Sequence, residues 1–365
     1  LSTNKFKNWT IQILIILTIA FLCTQLSFLL KPIGVFFSTL FMPLLISGFL
    51  FFIFNPVVKL FQKKLKLNRG FSILLLYVII FAAIGFSIAN VVPIITKQIT
   101  SFVNDLPTYG RQLEAFIDEM AHSKELKSFL ANDYVPLGTL QEKLTDFLNT
   151  LPNKITNSAI SVFGFVTSAT ITIVTVPILL FYMFKDGHKL PDALSKFIPT
   201  NYRKEGLVII KDVGNTLSAY INGQVTVACF VGILTLIGYV IIDVPYALLM
   251  ALIVAVTNII PYVGPILGGA PAVFIALFDS PLQVLLVIIV MVVAQQLEGN
   301  LLSPLILGRS LDIHPATVII LLLVAGNIAG ILGMVLAVPT YAVSKTIVLS
   351  IVKFLNARKR ATLEP

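Results

Sequence analysis

Residues 71–95 read FSILLLYVIIFAAIGFSIANVVPII, a stretch with no charged side chain. A helix needs about 20 apolar residues to cross the hydrocarbon layer of a bilayer, and this stretch supplies more. Working outward, similar apolar runs lie at about 9–30, 33–54, 158–184, 220–242, 245–277, 281–297 and 315–352, which makes eight. The 365-residue chain is 57% apolar and 12% charged, whereas an average soluble domain carries about 25% charged residues. Its mean hydropathy is +0.95. A water-soluble core cannot hide that much apolar surface, so Rossmann, barrel and sandwich readings fall away. Membrane β-barrels alternate apolar and polar residues, and these runs do not. The fold class is therefore all-α, a polytopic integral membrane protein with about eight transmembrane segments.

The charges sort around the runs. Lys31-Pro32 is read as the end of the first run and Asn55-Pro56 as the end of the second. A short segment with Lys59, Lys63, Lys64, Lys66 and Arg69 follows, free of acids. The excess of Lys and Arg beside spans marks the cytoplasmic side. With each segment crossing once and the N-terminus inside, 18 of the 26 basic residues face the cytoplasm. Both termini are then cytoplasmic, and Arg309 is outside. The net charge of +9 reads as membrane orientation, with no basic face for nucleic acid. The first run is too long for the core of a cleavable signal. Cys23 and Cys229 each sit inside an apolar run and read as buried small side chains.

Two polar segments carry helical periodicity. In 96–155, Phe102, Leu106, Leu113, Phe116, Ile117 and Met120 share one face, as do Leu137, Leu140, Leu144, Phe147, Leu148 and Leu151. This is an amphipathic helical extracytoplasmic region. In 185–215, Leu207, Ile210, Val213, Leu217 and Ile221 keep the same period, so a helix there runs unbroken from water into the fifth span. The chain divides into three N-terminal spans (1–95), the extracytoplasmic region (96–157), a C-terminal core (158–353) with its cytoplasmic helical segment (185–219), and a tail (354–365).

The chemistry concentrates between 245 and 352. Residues 258–271 read NIIPYVGPILGGAP. Pro261, Pro265 and Pro271 remove amide donors and kink or break a helix, and carbonyls freed inside a bilayer must line a cavity or be buried in protein. The last run is interrupted at Gly326-Asn327, Gly330 and Gly333. Pro271, Gly326, Gly330 and Gly333 are taken as helix-break positions. Paired interrupted segments point to a transport site near the midplane. Whether each segment crosses or re-enters as a hairpin is left open, and two hairpins would move the 298–312 connection inside.

Candidate path residues are Asn258, Pro261, Tyr262, Gly264, Pro265, Gln295, Gln296, Glu298, Asn300 and Asn327. An ionisable group at membrane depth is costly and therefore a functional hypothesis. Glu298 is the first candidate for coupling to a proton or cation, ahead of Asp243 and Asp186. His314, before Pro315, reads as a loop residue, and Asp279 as a cap. No zinc-protease, hydrolase-elbow or P-loop motif is present, so no enzyme activity, metal or cofactor is expected.

The second half resembles the autoinducer-2 exporter family, the PerM-like permeases. The resemblance rests on Phe181-Tyr-Met-Phe-Lys-Asp186-Gly187, Gly223-Gln224, Asn258-Ile-Ile-Pro261-Tyr262-Val-Gly264-Pro265, and Gln296-Leu-Glu298-Gly299-Asn300 with Pro304 and Gly308. It continues through His314-Pro315 and Gly330-xx-Gly333-Met334 to Ala337-Val-Pro339. The N-terminal 155 residues match only in layout. The resemblance implies a secondary transporter of the bacterial inner membrane, embedded in lipid, with a homo-oligomeric and expectedly pentameric assembly. Some relatives export autoinducer-2, a small polar signal, and others exchange sodium or lithium for protons. Export of such a solute is the first expectation and antiport the alternative. A non-transporting scaffold built on 96–155 is the third.

Overall fold

A computed structural model of the chain describes residues 27–122, 170–306 and 313–361, with residue 150 and short pieces of 7–21. The described residues form helices and connecting turns, with no strand among them. Among the described residues, five helical stretches are long and apolar enough to cross a membrane: Gly34–Lys64, Arg69–Tyr109, Thr200–Ile241, Pro281–Ile306 and Pro315–Asn356. Their large exposed side chains are apolar, such as Phe71, Leu74, Val78 and Phe81. Water would not tolerate such a surface, but lipid does. The protein is polytopic and helical.

Helix α1 spans Ser27–Lys64 and runs straight through Pro32, Pro43 and Pro56. Sequence reading ended one segment at Lys31-Pro32 and another at Asn55-Pro56, and the helix stops at neither. An isolated proline costs one backbone hydrogen bond and some crowding, and in apolar surroundings the remaining backbone groups have no partners outside the helix. At Pro56 the loss is repaired. Its missing N–H would have served the Phe52 carbonyl, and Asn222 Nδ2 donates to that oxygen instead at 2.9 Å.

Helix α2 (Arg69–Phe86) starts on Asn68, whose side chain accepts from Phe71 N at 3.0 Å. A π turn at Ser87–Val91 joins it without a break to α3 (Val92–His122). The amphipathic segment expected from 96 onward is thus, as far as it is described, an extension of the third span. Residues 123–149 and 151–169 lie outside the described ones. Helix α4 is Thr170–Asp186. After a 3-10 turn and the short α5 (Leu190–Ser195), α6 runs from Arg203 to Ile241. It enters its apolar part without interruption, as its periodicity predicted.

The next two long runs both fold back on themselves. The first forms α7 (Ala247–Thr257) and α8 (Val263–Ala276). Between them lies the turn 258–262, where Pro261 disfavours helical geometry for the residue before it and Tyr262 takes φ 62. The arms pack antiparallel. A Cβ on Gly264 would sit 2.0 Å from the Thr257 carbonyl oxygen, and one on Gly268 2.6 Å from Val254 Cα. Only glycine permits that approach. The break expected at Pro271 is absent, because Pro271 lies inside α8, where one lost hydrogen bond is tolerated.

Helix α9 covers Pro281–Leu297 and continues through a π turn, Glu298–Leu302, into α10 (Ser303–Ile306). Helix α11 (Pro315–Ala361) is helical on both sides of Ala329 (φ −137, ψ 19) and Gly330 (φ 59, ψ −143). A Cβ on Gly333 would lie 2.0 Å from the Ala325 carbonyl oxygen, and one on Gly326 3.2 Å from Met334 Cγ. Residues eight apart in a straight helix are separated by about 12 Å, so the chain reverses at 329–330. Gly326 and Gly333 are not themselves breaks. They lie on the arms, where those approach.

The feet of the two hairpins lie at opposite ends of α6. Tyr246 packs on Phe102 with ring centroids 5.7 Å apart and donates its hydroxyl to the Asp105 carboxylate. Phe278 stacks on Tyr109 at 4.9 Å, and Gln98 Oε1 accepts from Leu249 N. One stretch of α3 therefore straps both feet of the first hairpin. Gln283 Nε2 donates to the Ile242 carbonyl at 2.6 Å, placing the start of α9 at the same end. Partial burial, together with the acceptor Asp105, raises the Tyr246 hydroxyl above its ordinary value, so it remains a donor at neutral pH. The second hairpin belongs to the other, lysine-rich end. Phe354 meets Tyr202 at 6.2 Å and Thr346 meets Thr216 at 3.2 Å. Arg69 Nε donates there to the Phe184 carbonyl at 2.7 Å.

Candidate functional site

The tip of the first hairpin ends in the protein interior. Asn258 caps α7 and is 1% exposed. Its backbone carbonyl has lost a helical partner at the break, and Gln224 Nε2 from α6 donates to it at 2.8 Å. Its side chain reaches α9, where Nδ2 donates to Glu298 Oε2 at 3.3 Å. Gln295 Nε2 donates to the same oxygen at 3.0 Å. Three elements thus meet at one polar node: Gln224 from α6, Asn258 from the hairpin tip, and Gln295 from α9 with Glu298 from the π turn that continues it. Its depth follows from α6, since Gln224 lies 17 residues before Ile241, or about 25 Å below the strapped end.

The node is electrostatically unusual. Glu298 has only amide donors, with no Lys or Arg ion pair to it among the described residues. Asn258 Oδ1 is buried without a hydrogen-bond partner. A half-buried carboxylate beside a buried, unsatisfied acceptor is costly and favours anything that brings a proton, a cation or a donor hydroxyl. Apolar residues enclose the tip. Ile260 packs in a cluster with Tyr220, Ile221, Val318, Leu322, Ala337 and Val338.

The other sequence candidates lie around this node or away from it. Pro261 and Tyr262 form the turn beside Asn258, with Tyr262 half exposed. Gly264 and Pro265 are buried at the start of α8. Gln296 and Asn300 bond each other at 2.7 Å on an exposed face of α9. Asn327 is exposed near the second tip and donates to the Leu323 carbonyl. Asp243 (φ 55) lies in the turn after α6 at the strapped end. Asp186 lies at the lysine-rich end, paired with Lys189 at 2.7 Å. Neither aspartate shares the node with Glu298. His314 Nδ1 accepts from Ala316 N ahead of α11. Gln224 was not among the sequence candidates. Its signal was an amide inside the apolar run 220–242, two residues after Asn222, legible only once its partner is known.

Residues 11–353 match the family described as AI-2E family transporter. The chain belongs to the AI-2E transporter family. It is 50% identical over 361 residues to YueF of Bacillus subtilis, covering 99% of this chain and 97% of that protein. YrrI of the same organism is 33% identical over 357 residues, covering 93% and 95%. PerM of Escherichia coli is 26% identical over 318 residues, covering 86% and 88%. Their names carry the words transport protein or permease and no substrate. The AI-2E family is one of bacterial membrane transporters, not enzymes, and the match takes in both hairpins and the node.

Proposed function

We propose that this chain is a secondary transporter that exports a small polar solute, autoinducer-2 or a similar signalling metabolite, across the bacterial cytoplasmic membrane. The observation that carries the reading is the node itself, a carboxylate held only by amides where a broken helix ends about 25 Å from the strapped end. Broken helices present backbone dipoles to a solute, and Asn258, Gln295 and Glu298 add side-chain hydrogen bonds. A gradient drives the movement, with Glu298 as the coupling group.

The lysine-rich end faces the cytoplasm, as the distribution of basic residues requires. The strapped end, with the extension of α3, is extracytoplasmic. With both C-terminal segments re-entrant, the spans are six crossings and two hairpins. The end of α10 and the start of α11 then lie on the cytoplasmic side, and Arg309 joins that side.

In everted vesicles containing this protein, labelled autoinducer-2 is expected to accumulate several-fold above empty vesicles when a proton gradient is imposed. Uptake equal to that of empty vesicles overturns this substrate. A second reading, sodium or lithium exchange for protons, is favoured by the unpaired carboxylate beside Asn258 Oδ1. It predicts lithium-dependent dequenching of a pH dye in the same vesicles.

A further inference from the structure

The two hairpin tips share a sequence. Asn258-Ile259, then Val263-Gly264 and Leu267-Gly268, align without gaps on Asn327-Ile328, Leu332-Gly333 and Leu336-Ala337. The structure makes the same match independently. In each tip the glycine six residues after the asparagine lies where a Cβ would be 2.0 Å from a carbonyl oxygen of the other arm, Thr257 in one and Ala325 in the other. Each tip also holds one residue at positive φ, Tyr262 (62) and Gly330 (59). Each hairpin follows a long helix, α6 or α9. Those helices run antiparallel, as Gln283 on Ile242 and Glu298 near Gln224 require. The hairpins enter from opposite ends. The unit made of one helix and one hairpin thus occurs twice, in inverted orientation.

The two copies differ in state. Tip one is docked, with Asn258 1% and Ile260 5% exposed and the amide on Glu298. Tip two is not. Ile328 and Ile331 are 80% and 70% exposed, and nothing lies within 4 Å of the Cβ position of Gly330. Among the described residues, the Asn327 amide is bonded to the carbonyl one turn back in its own helix. An inverted pair with one partner docked and the other released is one conformation of a two-state cycle, and exchanging the partners' states gives the other.

We propose that Asn327 is a positioning residue of the opposite-facing conformation, in which the second tip docks and its amide enters the node formed by Gln224, Gln295 and Glu298 while Asn258 leaves it. The proposal rests on the transport reading. Asn258 and Asn327 then stabilise opposite states, and losing either shifts the population toward the other's.

The test uses the full chain in sealed vesicles with Cys23→Ser and Cys229→Ser, and an Ile260→Cys reporter on the first tip. A small membrane-impermeant maleimide reports release of that tip. Asn258→Ala is expected to raise the labelling rate by about tenfold or more, and Asn327→Ala to lower it by about as much, which is the effect of one hydrogen bond to a charged group. Asn327→Asp, which removes the donor and keeps the shape, should lower it as well. A merely structural Asn327 would loosen the fold and raise labelling. Unchanged or raised labelling in both Asn327 variants overturns the proposal. Autoinducer-2 flux measured in parallel separates the two readings. Opposite-sign labelling without flux removes only the substrate, and flux with same-sign labelling removes only the exchange of tips.

Discussion

Glu298→Gln is expected to reduce gradient-driven transport by about a hundredfold while leaving the protein folded. The substitution keeps the length of the side chain and one acceptor oxygen. Asn258 or Gln295 therefore retains a partner, and the hairpin tip stays seated on α9. What disappears is the ionisable group that the proposed coupling depends on. Disabling one member of a desolvated, hydrogen-bonded charged set costs up to roughly 2–5 kcal/mol, and for the partly buried Glu298 the lower part of that range already corresponds to about a hundredfold. Proteoliposomes with an imposed proton gradient measure it directly, with elution volume in detergent as the check on folding. Wild-type flux from this variant removes Glu298 as the coupling residue.

Gly264→Ala is expected to be the most damaging single-methyl change in the first hairpin. The added Cβ would sit 2.0 Å from the Thr257 carbonyl oxygen and 2.8 Å from Asn258 Cα, both backbone atoms that cannot rotate aside. The arms must part at the tip, which pulls Asn258 from Glu298. Overpacking of this kind costs about 1–3 kcal/mol or more. Thermal unfolding in detergent should fall by roughly 1–4 °C for a chain of this length, and transport should be lost. Gly85→Ala is the matched control, with nothing within 4 Å of its Cβ position, and should melt close to the parent protein. Equal melting of the two variants contradicts the close approach of the arms.

Much of this fold was legible in the sequence because a bilayer simplifies the problem. A run such as 71–95 has few choices, since its backbone must satisfy itself in a helix. The continuous helix from 203 to 241 followed from unbroken periodicity. Proline was harder to read. The same residue type breaks the chain at Pro261, where Tyr262 supplies a positive φ and Gly264 a place for the return arm, yet passes unnoticed at Pro32, Pro56 and Pro271. At Pro56 a neighbour, Asn222, serves the stranded carbonyl of Phe52. That neighbour is more than 160 residues away.

The site was legible in part for the same reason. Asn258 and Gln295 stood out as polar residues inside apolar runs and Glu298 at the edge of one, and the fold brings them together. Gln296 and Asn300 stood out equally, yet their side chains bond each other on an exposed face of α9. The sequence states that a helix carries amides. Only the packing of α7 against α6 and α9 states which face of it is turned inward.

The most direct test of the central claim, that the node at 258 and 298 lies on the transport path, is protection of a cysteine placed there. Gln295→Cys, with Cys23 and Cys229 replaced by Ser, is labelled by a small maleimide in sealed vesicles. Labelling is repeated with saturating autoinducer-2 and, separately, with lithium. At least one of the two is predicted to slow labelling by about fivefold, as occupancy of a shared site requires. A labelling rate that neither solute nor ion changes would contradict the account.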